Sequence, residues 1–448
     1  MKKWFRNLRF KNLQVEIQGY GYHYSFSKYV GSLIFGVVLV IAIGKLNGLK
    51  AMPITALVAA IGVSVPILLI QQFRYLYEQN RFQSLLEYME QMMYSFQKHP
   101  KIITALEETE ELTKGAMEEK VHIIRQVLET SKDVSYEGAF SILEKEYPCD
   151  RLKTVHDFFI KVEQIGGNYQ PALAVLLEDT KLWTERTYLF QKERGQMKRK
   201  IVLSMACVLM LCSVLFRMMT GNEELAKSVD MPAYQMGTTI IFLLFIFLFL
   251  FSQKALTGSW LKKPVKTDEE QIKKDWMHVK EDPVEFKRAR RRLEREVEKQ
   301  FPVWLRGVIL SIQTENVYRA ITESIDTAPF VLKGELEQLV AEIKEDPVSM
   351  RPYDHFLKEL QIPEIHSIAK MLYAYTNTGS NEAKDQLNAL MKRNMKLTDH
   401  VERMENEDEI AKYSMVFYLP MFLGTGKIML DMAMLFIVLF SNWSQMIV

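Results

Sequence analysis

Five nearly uncharged stretches set the strongest limit on how this chain can fold. They comprise residues 30–43, 52–70, 201–219, 236–251 and 413–440. A helix that spans a bilayer needs ~20 mostly apolar residues, and these stretches reach or approach that length. The regions between them are dense in lysine, arginine, glutamate and aspartate. This alternation predicts a polytopic membrane protein with two large polar regions.

The apolar stretches divide the chain into five parts. We expect a basic N-terminus with two transmembrane helices in residues 1–71, a first cytoplasmic helical bundle in 72–200, two transmembrane helices in 201–251, a second cytoplasmic bundle in 252–412 and a C-terminal transmembrane region in 413–448. The last region carries Lys427 and Asp431 near its middle, and its halves are too short for two independent spans. One kinked or tilted span is therefore favoured, and a re-entrant hairpin stays open.

The positions of lysine and arginine predict the orientation of the chain. Basic residues crowd the N-terminus, precede the third apolar stretch and follow the fourth, whereas the short loops at 45–51 and 220–235 carry fewer. Because flanks rich in lysine and arginine stay in the cytoplasm, the N-terminus and both polar regions are expected there. A long polar stretch precedes the first span, so no cleavable signal peptide is expected.

The two polar regions share a pattern of apolar positions. Residues 139–168 align without a gap on residues 352–381, at an offset of 213 (379 − 166 = 213). Apolar residues with helical spacing coincide in pairs: Leu143 with Phe356, Leu152 with Ile365, Val155 with Ile368, and Phe159 with Leu372. The shared pattern predicts an all-α fold in which two helical bundles are related by an internal repeat.

A turn that contains glycine ends the aligned segment in each copy. The turn includes Gly166 and Gly167 in the first copy and Gly379 in the second. From Pro171 to about Arg217 the only helix breaker is a single glycine. This run predicts one helix, ~70 Å long at the usual helical rise, that leaves the first bundle and enters the bilayer.

The sequence lacks a recognisable catalytic or cofactor site. Residues 424–427 read Gly-Thr-Gly-Lys, but a phosphate-binding loop needs glycine where Met421 stands and serine or threonine where Ile428 stands. The eight histidines have no metal-ligand spacing, and three cysteines do not suggest a disulfide framework. A net charge of only +2 gives no case for nucleic acid as a partner. We therefore expect no enzyme, no metal and no cofactor.

Two groups of charged residues are candidate functional sites. Lys427 and Asp431 are four residues apart and could pair within the membrane, where charges often mark function; the pair could equally be structural or reach the interface. Four basic residues before the second bundle are candidates for contact with a partner protein or with anionic lipid: Arg288, Arg290, Arg291 and Arg292. The alternative is a solvated helix face that pairs with nearby glutamates: Glu285, Glu294, Glu296 and Glu298.

The order of these elements resembles that of a known family. The resemblance is carried by residues 85–106 and 166–180 in the first copy and by residues 301–325 and 379–390 in the second. The sequence Phe301-Pro302-x-x-Leu305, followed by Ala320-Ile321, is similar to the opening of the type II secretion F domain. Two spans before the first bundle resemble the tight-adherence branch of that family, whereas two bundles in one chain resemble the type II secretion branch.

The resemblance implies a non-enzymatic platform protein of the bacterial cytoplasmic (inner) membrane. Members of the family serve type II secretion, type IV pili or tight-adherence pili. The implied partners are a cytoplasmic assembly ATPase, pilin or pseudopilin subunits, other inner-membrane assembly proteins and the lipid bilayer, in a homo- or hetero-oligomer. The alternative is a membrane transporter or channel with Lys427 and Asp431 on its pathway, and a membrane-bound enzyme or sensor ranks third.

Overall fold

The structure, a computed structural model, describes residues 10–130, 134–166, 169–221, 226–261, 268–282, 286–312, 315–376 and 380–447. The chain is 87% helical, and these described residues contain no strand, so the predicted all-α fold is confirmed. Five helices are long and apolar enough to cross a membrane, and each contains one of the five apolar stretches. By length and composition these helices identify a membrane protein.

The helices follow one another with short connections. Those of the first half are α1 (Phe10–Gly19), α2 (Phe26–Leu46), α3 (Ala51–Lys98), α4 (Ile102–Leu112), α5 (Ala116–Thr130), α6 (Tyr136–Glu146), α7 (Asp150–Ile165), α8 (Gln170–Met219) and α9 (Pro232–Leu256). Those of the second half are α10 (Glu269–Glu281), α11 (Lys287–Ile312), α12 (Val317–Ser324), α13 (Phe330–Glu345), α14 (Arg351–His355), α15 (Pro363–Thr376) and α16 (Ser380–Ile447). A short 3₁₀ helix, Lys227–Asp230, precedes α9.

The chain forms two compact units. The membrane unit comprises Met1–Arg81, Thr187–Trp260 and Glu407–Val448, and the polar unit comprises Phe82–Arg186 and Leu261–Asn406. All five apolar stretches fall in the membrane unit. The residues that align as a repeat, 139–166 and 352–376 among the described ones, fall in the polar unit.

A core of packed apolar residues joins the spans of the membrane unit. Buried residues of five helices contribute to it, among them Val40, Leu57, Ile201, Phe245 and Val416. Other large apolar side chains of the same helices face outward, such as Phe247 and Phe422 at 66% and 72% exposure. Soluble proteins rarely expose a continuous surface of this kind, whereas a bilayer solvates it.

Close helix contacts within the membrane unit depend on glycine. A Cβ atom at Gly424 of α16 would overlap Cγ1 of Val208 in α8, and one at Gly237 of α9 would stand 2.8 Å from a Leu430 methyl of α16. Small residues let helix backbones approach in a bilayer, where van der Waals packing supplies much of the association energy. These two glycines therefore allow α16 to pack tightly against α8 and α9.

The polar unit is built from amphipathic helices whose apolar faces meet in its interior. Phe96 and Phe159 are fully buried with their ring centres 4.5 Å apart, and Phe301 is fully buried in the second half. Side-chain caps start several of these helices. Ser135 before α6 and Asn316 before α12 each accept a hydrogen bond from the backbone N–H three residues on, which satisfies a donor that the first helical turn leaves free.

The unbroken helix expected after Pro171 is present. It is α8, which runs from Gln170 to Met219. The C-terminal region likewise forms one continuous helix, α16, with Pro420 inside it, and not a re-entrant hairpin. Like α3, both helices have residues in both units.

Candidate functional site

Lys427 and Asp431 form an ion pair inside the membrane unit. They lie one turn apart on α16 with 0% and 5% exposure, and Lys427 Nζ donates to Asp431 Oδ1. The same nitrogen donates to the Tyr234 hydroxyl at 3.3 Å and lies 5.4 Å from the centre of the Phe216 ring. The structure therefore brings the two predicted residues together, and protein groups satisfy both charges.

A chain of hydrogen bonds extends from this ion pair to the connection between α2 and α3. The Tyr234 hydroxyl donates to the Asn47 carbonyl oxygen at 2.8 Å, and Asn47 Nδ2 donates to Ser213 Oγ at 2.9 Å. A second link comes from Gln235, whose Nε2 donates to the Gly48 carbonyl oxygen at 3.0 Å. We call Asn47, Ser213, Tyr234, Lys427 and Asp431 the membrane polar cluster.

Gly48 is required where this cluster meets the α2–α3 connection. Its φ is +67°, in the left-handed region that disfavours other residues. A Cβ atom there would stand 2.6 Å from Val229 and 2.9 Å from Phe216. Both the backbone conformation and the close packing therefore exclude a side chain.

Sequence reasoning found the ion pair but not its partners. Asn47 lies shortly after one apolar stretch and Tyr234 shortly before another, so both look like ordinary boundary residues of spans. The packing of α9 against α16 brings Tyr234 to Lys427, which is 193 residues away. The only signal in the sequence was that each of these polar residues lies next to a span, and this signal does not indicate a partner.

The membrane polar cluster can lock helices together. Its lysine and aspartate neutralise each other, and removing either one would leave an uncompensated charge in a low-dielectric interior. Within the described part of the chain, no group of three or more histidine, cysteine, aspartate or glutamate residues could hold a metal ion. The geometry fits a structural contact that fixes α16 against α8 and α9.

Two of the four candidate arginines are engaged in ion pairs within the polar unit. Arg292 donates to both carboxylate oxygens of Asp275 in α10, at 2.8 and 2.5 Å. Burial raises the pKa of Asp275, but hydrogen bonds from Arg292 and Gln271 outweigh burial and hold that pKa below its ordinary value. Arg290 pairs with Glu294 one turn on, at 3.3 Å. These two arginines therefore stabilise the start of α11.

The other two candidate arginines remain available to a partner. Arg288 and Arg291 lie three residues apart on one face of α11, and both are exposed. Glu285, one of the glutamates considered as a partner for this segment, lies outside the described residues. A role for Arg288 and Arg291 in contacting protein or lipid remains a prediction.

The predicted turn residues are described only in part. Gly166 follows α7 with φ +74°, a conformation that favours glycine. Gly167 and Gly379 lie outside the described residues.

A buried ion-pair network in the polar unit was not predicted. Asp179 of α8 is 6% exposed, and its Oδ2 lies 3.2 Å from Arg151 Nε of α7 and 3.2 Å from Arg306 Nη2 of α11. Burial raises the pKa of Asp179, but the two guanidinium groups bring it below its ordinary value. Asp179 thus joins a helix of the second half to two helices of the first.

The network continues from α8 to α16. Arg186 pairs with Asp399 at 3.1 Å and with Glu402 at 2.7 Å, and Arg151 also reaches Glu402 at 2.7 Å. Arg151 and Glu402 are 251 residues apart in sequence, so no spacing rule could have paired them. Bidentate and shared arginine–carboxylate pairs of this kind hold helices in a defined arrangement.

Comparisons with known proteins find no family model, no curated protein and no solved structure that matches this chain. The fold and the sites define a class, an all-α membrane protein with a large polar helical unit. Any narrower assignment depends on the residues and helices described above.

Proposed function

We propose that this chain is an inner-membrane platform protein of a pilus or type II secretion assembly machine. In this role it couples a cytoplasmic ATPase to the insertion of pilin-like subunits into a filament. One observation carries the proposal: an order of helices that occurs twice, each time leading into a helix that contains a candidate span. The proposal includes the internal repeat, the cytoplasmic location of both polar regions and the bacterial inner membrane.

The bounds of the helices support the internal repeat. Helices α4 to α7 of the first half have counterparts in the same order, α12 to α15, in the second half. The offset is 215 between the starts of α4 and α12 (317 − 102 = 215) and 213 between the starts of α7 and α15 (363 − 150 = 213). A nearly constant offset over four helices is expected of a duplicated unit.

Buried positions agree with the same offsets. The buried residues Ile102, Ala105 and Leu106 correspond to Val317, Ala320 and Ile321 at 215, and Leu152, Val155 and Phe159 correspond to Ile365, Ile368 and Leu372 at 213; all of these are buried. Helices that bury the same face in the same order support one structural unit built twice.

The continuity of the two long helices supports a mechanical role. The first copy is followed by α8 and the second by α16, and each of these helices contains a candidate span. Pro420 removes one backbone hydrogen bond from α16. A helix such as α8, with no proline in its interior, resists bending because its interior peptide groups are hydrogen-bonded along the axis. Such an element can transmit a push or a rotation produced by an ATPase to subunits bound at the membrane.

The charge pattern supports the proposed partners and orientation. Basic flanks on the N-terminus and around the third and fourth apolar stretches favour a cytoplasmic location for both polar regions. Arg288 and Arg291 then present cations to an acidic face of the ATPase, of another assembly protein, or of lipid. The pilin or pseudopilin subunit, as a membrane-anchored client, would meet the membrane unit.

In-cell photo-crosslinking followed by mass spectrometry tests this proposal. A photoreactive amino acid replaces Tyr94, Tyr318 or Val348, which are exposed side chains of the polar unit, and Phe422 serves as a lipid-facing control. We expect the polar-unit positions to capture a secretion-type ATPase that Phe422 does not capture, and membrane-unit positions to capture a pilin-like protein. Capture of neither protein by a chain shown to be folded and expressed would contradict the platform role.

A membrane transporter or channel is the second candidate. The observation that favours it is the buried Lys427–Asp431 pair, since ionisable residues inside a membrane often line a pathway. Substrate-dependent flux through reconstituted protein that disappears in Asp431→Asn would establish this alternative. Absence of such flux, with filament assembly dependent on the chain, would exclude it.

A further inference from the structure

A groove of about 420 Å³ lies in the polar unit between α7 and α11. Its apolar walls include Phe158, Val303, Trp304 and Leu310, and Asp157 lines its rim. Val303 is 39% exposed in this groove, an unusual position for a valine of a helical core. The volume falls within the range, roughly 300–1,000 Å³, that accommodates bound ligands in proteins.

Hydrogen bonds fix both walls of the groove. Lys161 of α7 donates to Ser311 Oγ of α11 at 2.9 Å and pairs with Glu315 at 3.2 Å. Trp304 Nε1 donates to Ser324 Oγ at 2.8 Å, which holds the end of α12 against α11. The groove is therefore preformed, and a ligand does not have to open it.

Gly307 leaves the floor of the groove open. It is exposed on α11, and a Cβ atom at this position would meet nothing within 4 Å. The space above Gly307 can therefore receive an apolar side chain of an occupant.

Asp157 places a negative charge at the rim of the groove. No hydrogen bond or ion pair joins its carboxylate to any described residue. The Asp157 side chain is exposed at the rim, and its partial desolvation raises its pKa to about 6, with Lys153 opposing the effect and Glu144 and Glu137 adding to it. An occupant that removed the remaining water would have to supply a cation, because an ionised carboxylate without a partner is costly to bury.

Four other charged residues line the groove: Asp150 and Lys153, whose charges offset each other, and two that are held in ion pairs. Lys161 is held by Glu315, and Glu323 accepts a hydrogen bond from Arg319 Nε at 2.8 Å. At the position of Asp157, the second copy carries Lys370 (157 + 213 = 370). The negative charge is therefore particular to this side of the polar unit and selects the sign of the partner.

We propose that the groove is the docking site of a protein segment that presents a lysine or arginine between apolar side chains. The cation meets Asp157, and a neighbouring apolar side chain lies over Gly307 against Val303. Apolar walls of this extent favour such a segment over a free small cation, since burial of apolar surface contributes roughly 25 cal/mol per Å². This inference does not depend on the platform role.

Peptide binding to the full chain in lipid nanodiscs tests the proposal. The probes are two fluorescent helical peptides of ~15 residues, built from leucine, alanine and glutamine, with either one lysine or one glutamate at the centre. We expect the lysine peptide to bind about tenfold more tightly than the glutamate peptide. In Asp157→Lys, position 157 carries the same residue type as Lys370 of the second copy. We expect this variant to bind the glutamate peptide more tightly than the lysine peptide.

A matched pair of glycine variants locates the site. Gly307→Tyr fills the groove and should abolish binding of the lysine peptide. Gly334→Tyr places the same side chain on an exposed glycine of α13 that also has open space but does not line the groove, and should leave binding unchanged. Circular dichroism and thermal unfolding establish that each variant is folded before its affinity is compared.

Three results would overturn the proposal. They are equal binding of the two peptides, a preference that Asp157→Lys does not alter, and binding that survives Gly307→Tyr in a folded variant. Each of these would mean that the peptides only adsorb to lipid or to another apolar surface, as empty nanodiscs would reveal directly.

Discussion

Arg306 and Asp179 form a buried ion pair, with Arg306 Nη2 3.2 Å from Asp179 Oδ2, that joins α11 to α8 inside the polar unit. The pair connects helices that come from opposite halves of the chain. Arg151 shares the same carboxylate and also pairs with Glu402, so two guanidinium groups meet Asp179 in a place that water scarcely reaches. Asp179 is thus one of several side chains that join the two halves, together with Glu402 and Asp399.

Replacing Asp179 should therefore destabilise the polar unit. In Asp179→Ala, the buried Arg306 loses its carboxylate partner and Arg151 keeps only Glu402, so we expect the free energy of unfolding to fall by about 3–5 kcal/mol. Chemical denaturation followed by circular dichroism measures the change. The control is Asp354→Ala, which removes an exposed partner of Lys370 and should cost no more than about 1 kcal/mol. Equal losses in the two variants would contradict the importance assigned to the buried network.

The buried His156 should make the polar unit sensitive to acid. Its ring nitrogens lie 2.7 Å from Glu144 Oε1 and 3.0 Å from the Tyr88 hydroxyl oxygen, and its side chain is fully buried. Burial lowers the pKa of His156 below its ordinary value, although Glu144 opposes this shift. The unfolded chain therefore takes up a proton at a higher pH than the folded chain does.

The contribution of His156 to the free energy of unfolding is complete above about pH 6.5 and decreases as the pH falls below that value. The free energy of unfolding, measured at about pH 7.5, 6.5 and 5.5, should therefore decrease from the first pH to the last. In His156→Gln the amide keeps hydrogen-bonding capacity without titrating, so its stability should vary less over the same range. An equal dependence on pH in both proteins would rule out His156 as the source.

Gly424 should be sensitive to substitution because α8 lies against it. In Gly424→Leu the new side chain meets Val208, and we expect a loss of about 1–3 kcal/mol in the membrane unit. Gly426 stands two residues away on the same helix with nothing within 4 Å of a Cβ atom, so Gly426→Leu should have no such cost. Thermal unfolding in detergent compares the two variants. A similar melting temperature for both would show that α16 does not pack on α8 in this way.

The Lys427–Asp431 pair should behave as a structural contact. Asp431→Asn or Lys427→Met alone leaves one buried charge without a partner and should cost about 3–5 kcal/mol. The double variant Lys427→Met/Asp431→Leu removes both charges and should recover most of that loss, together with filament assembly. Thermal unfolding and a filament assay measure the two effects. A stable double variant that assembles no filaments would instead assign the pair a functional role.

Much of the fold follows from local features of the sequence. Length and lack of charge were enough to find the five candidate spans, because a membrane imposes both on any helix that crosses it. The run from Pro171 to Arg217 predicted α8 because it contains a single glycine and no internal proline. The positions of Leu152 and Ile365 on buried helix faces followed from helical spacing alone.

The contacts that build the sites did not follow from local features. Tyr234 meets Lys427 and Arg306 meets Asp179 only because particular helices pack together, and each pair is separated by more than a hundred residues. The groove above Gly307 is likewise a space between helices, which no pattern of residues describes. Pairing of distant side chains depends on tertiary packing, and a single sequence carries little information about it.

Continuity of α8 is the feature on which the proposed platform role depends most directly. Glu193 is exposed in the middle of this helix, so a substitution there changes the helix without removing a buried contact. Proline at this position removes a backbone hydrogen bond and costs about 3 kcal/mol or more, whereas alanine preserves the helix. We therefore compare filament assembly in cells that carry Glu193→Pro or Glu193→Ala, with membrane insertion and abundance measured in both.

We predict that Glu193→Pro inserts into the membrane at normal abundance but assembles no filaments, and that Glu193→Ala assembles them normally. Normal assembly by an inserted Glu193→Pro protein would contradict the account, because the unbroken helix would then not be needed to couple the ATPase to the filament.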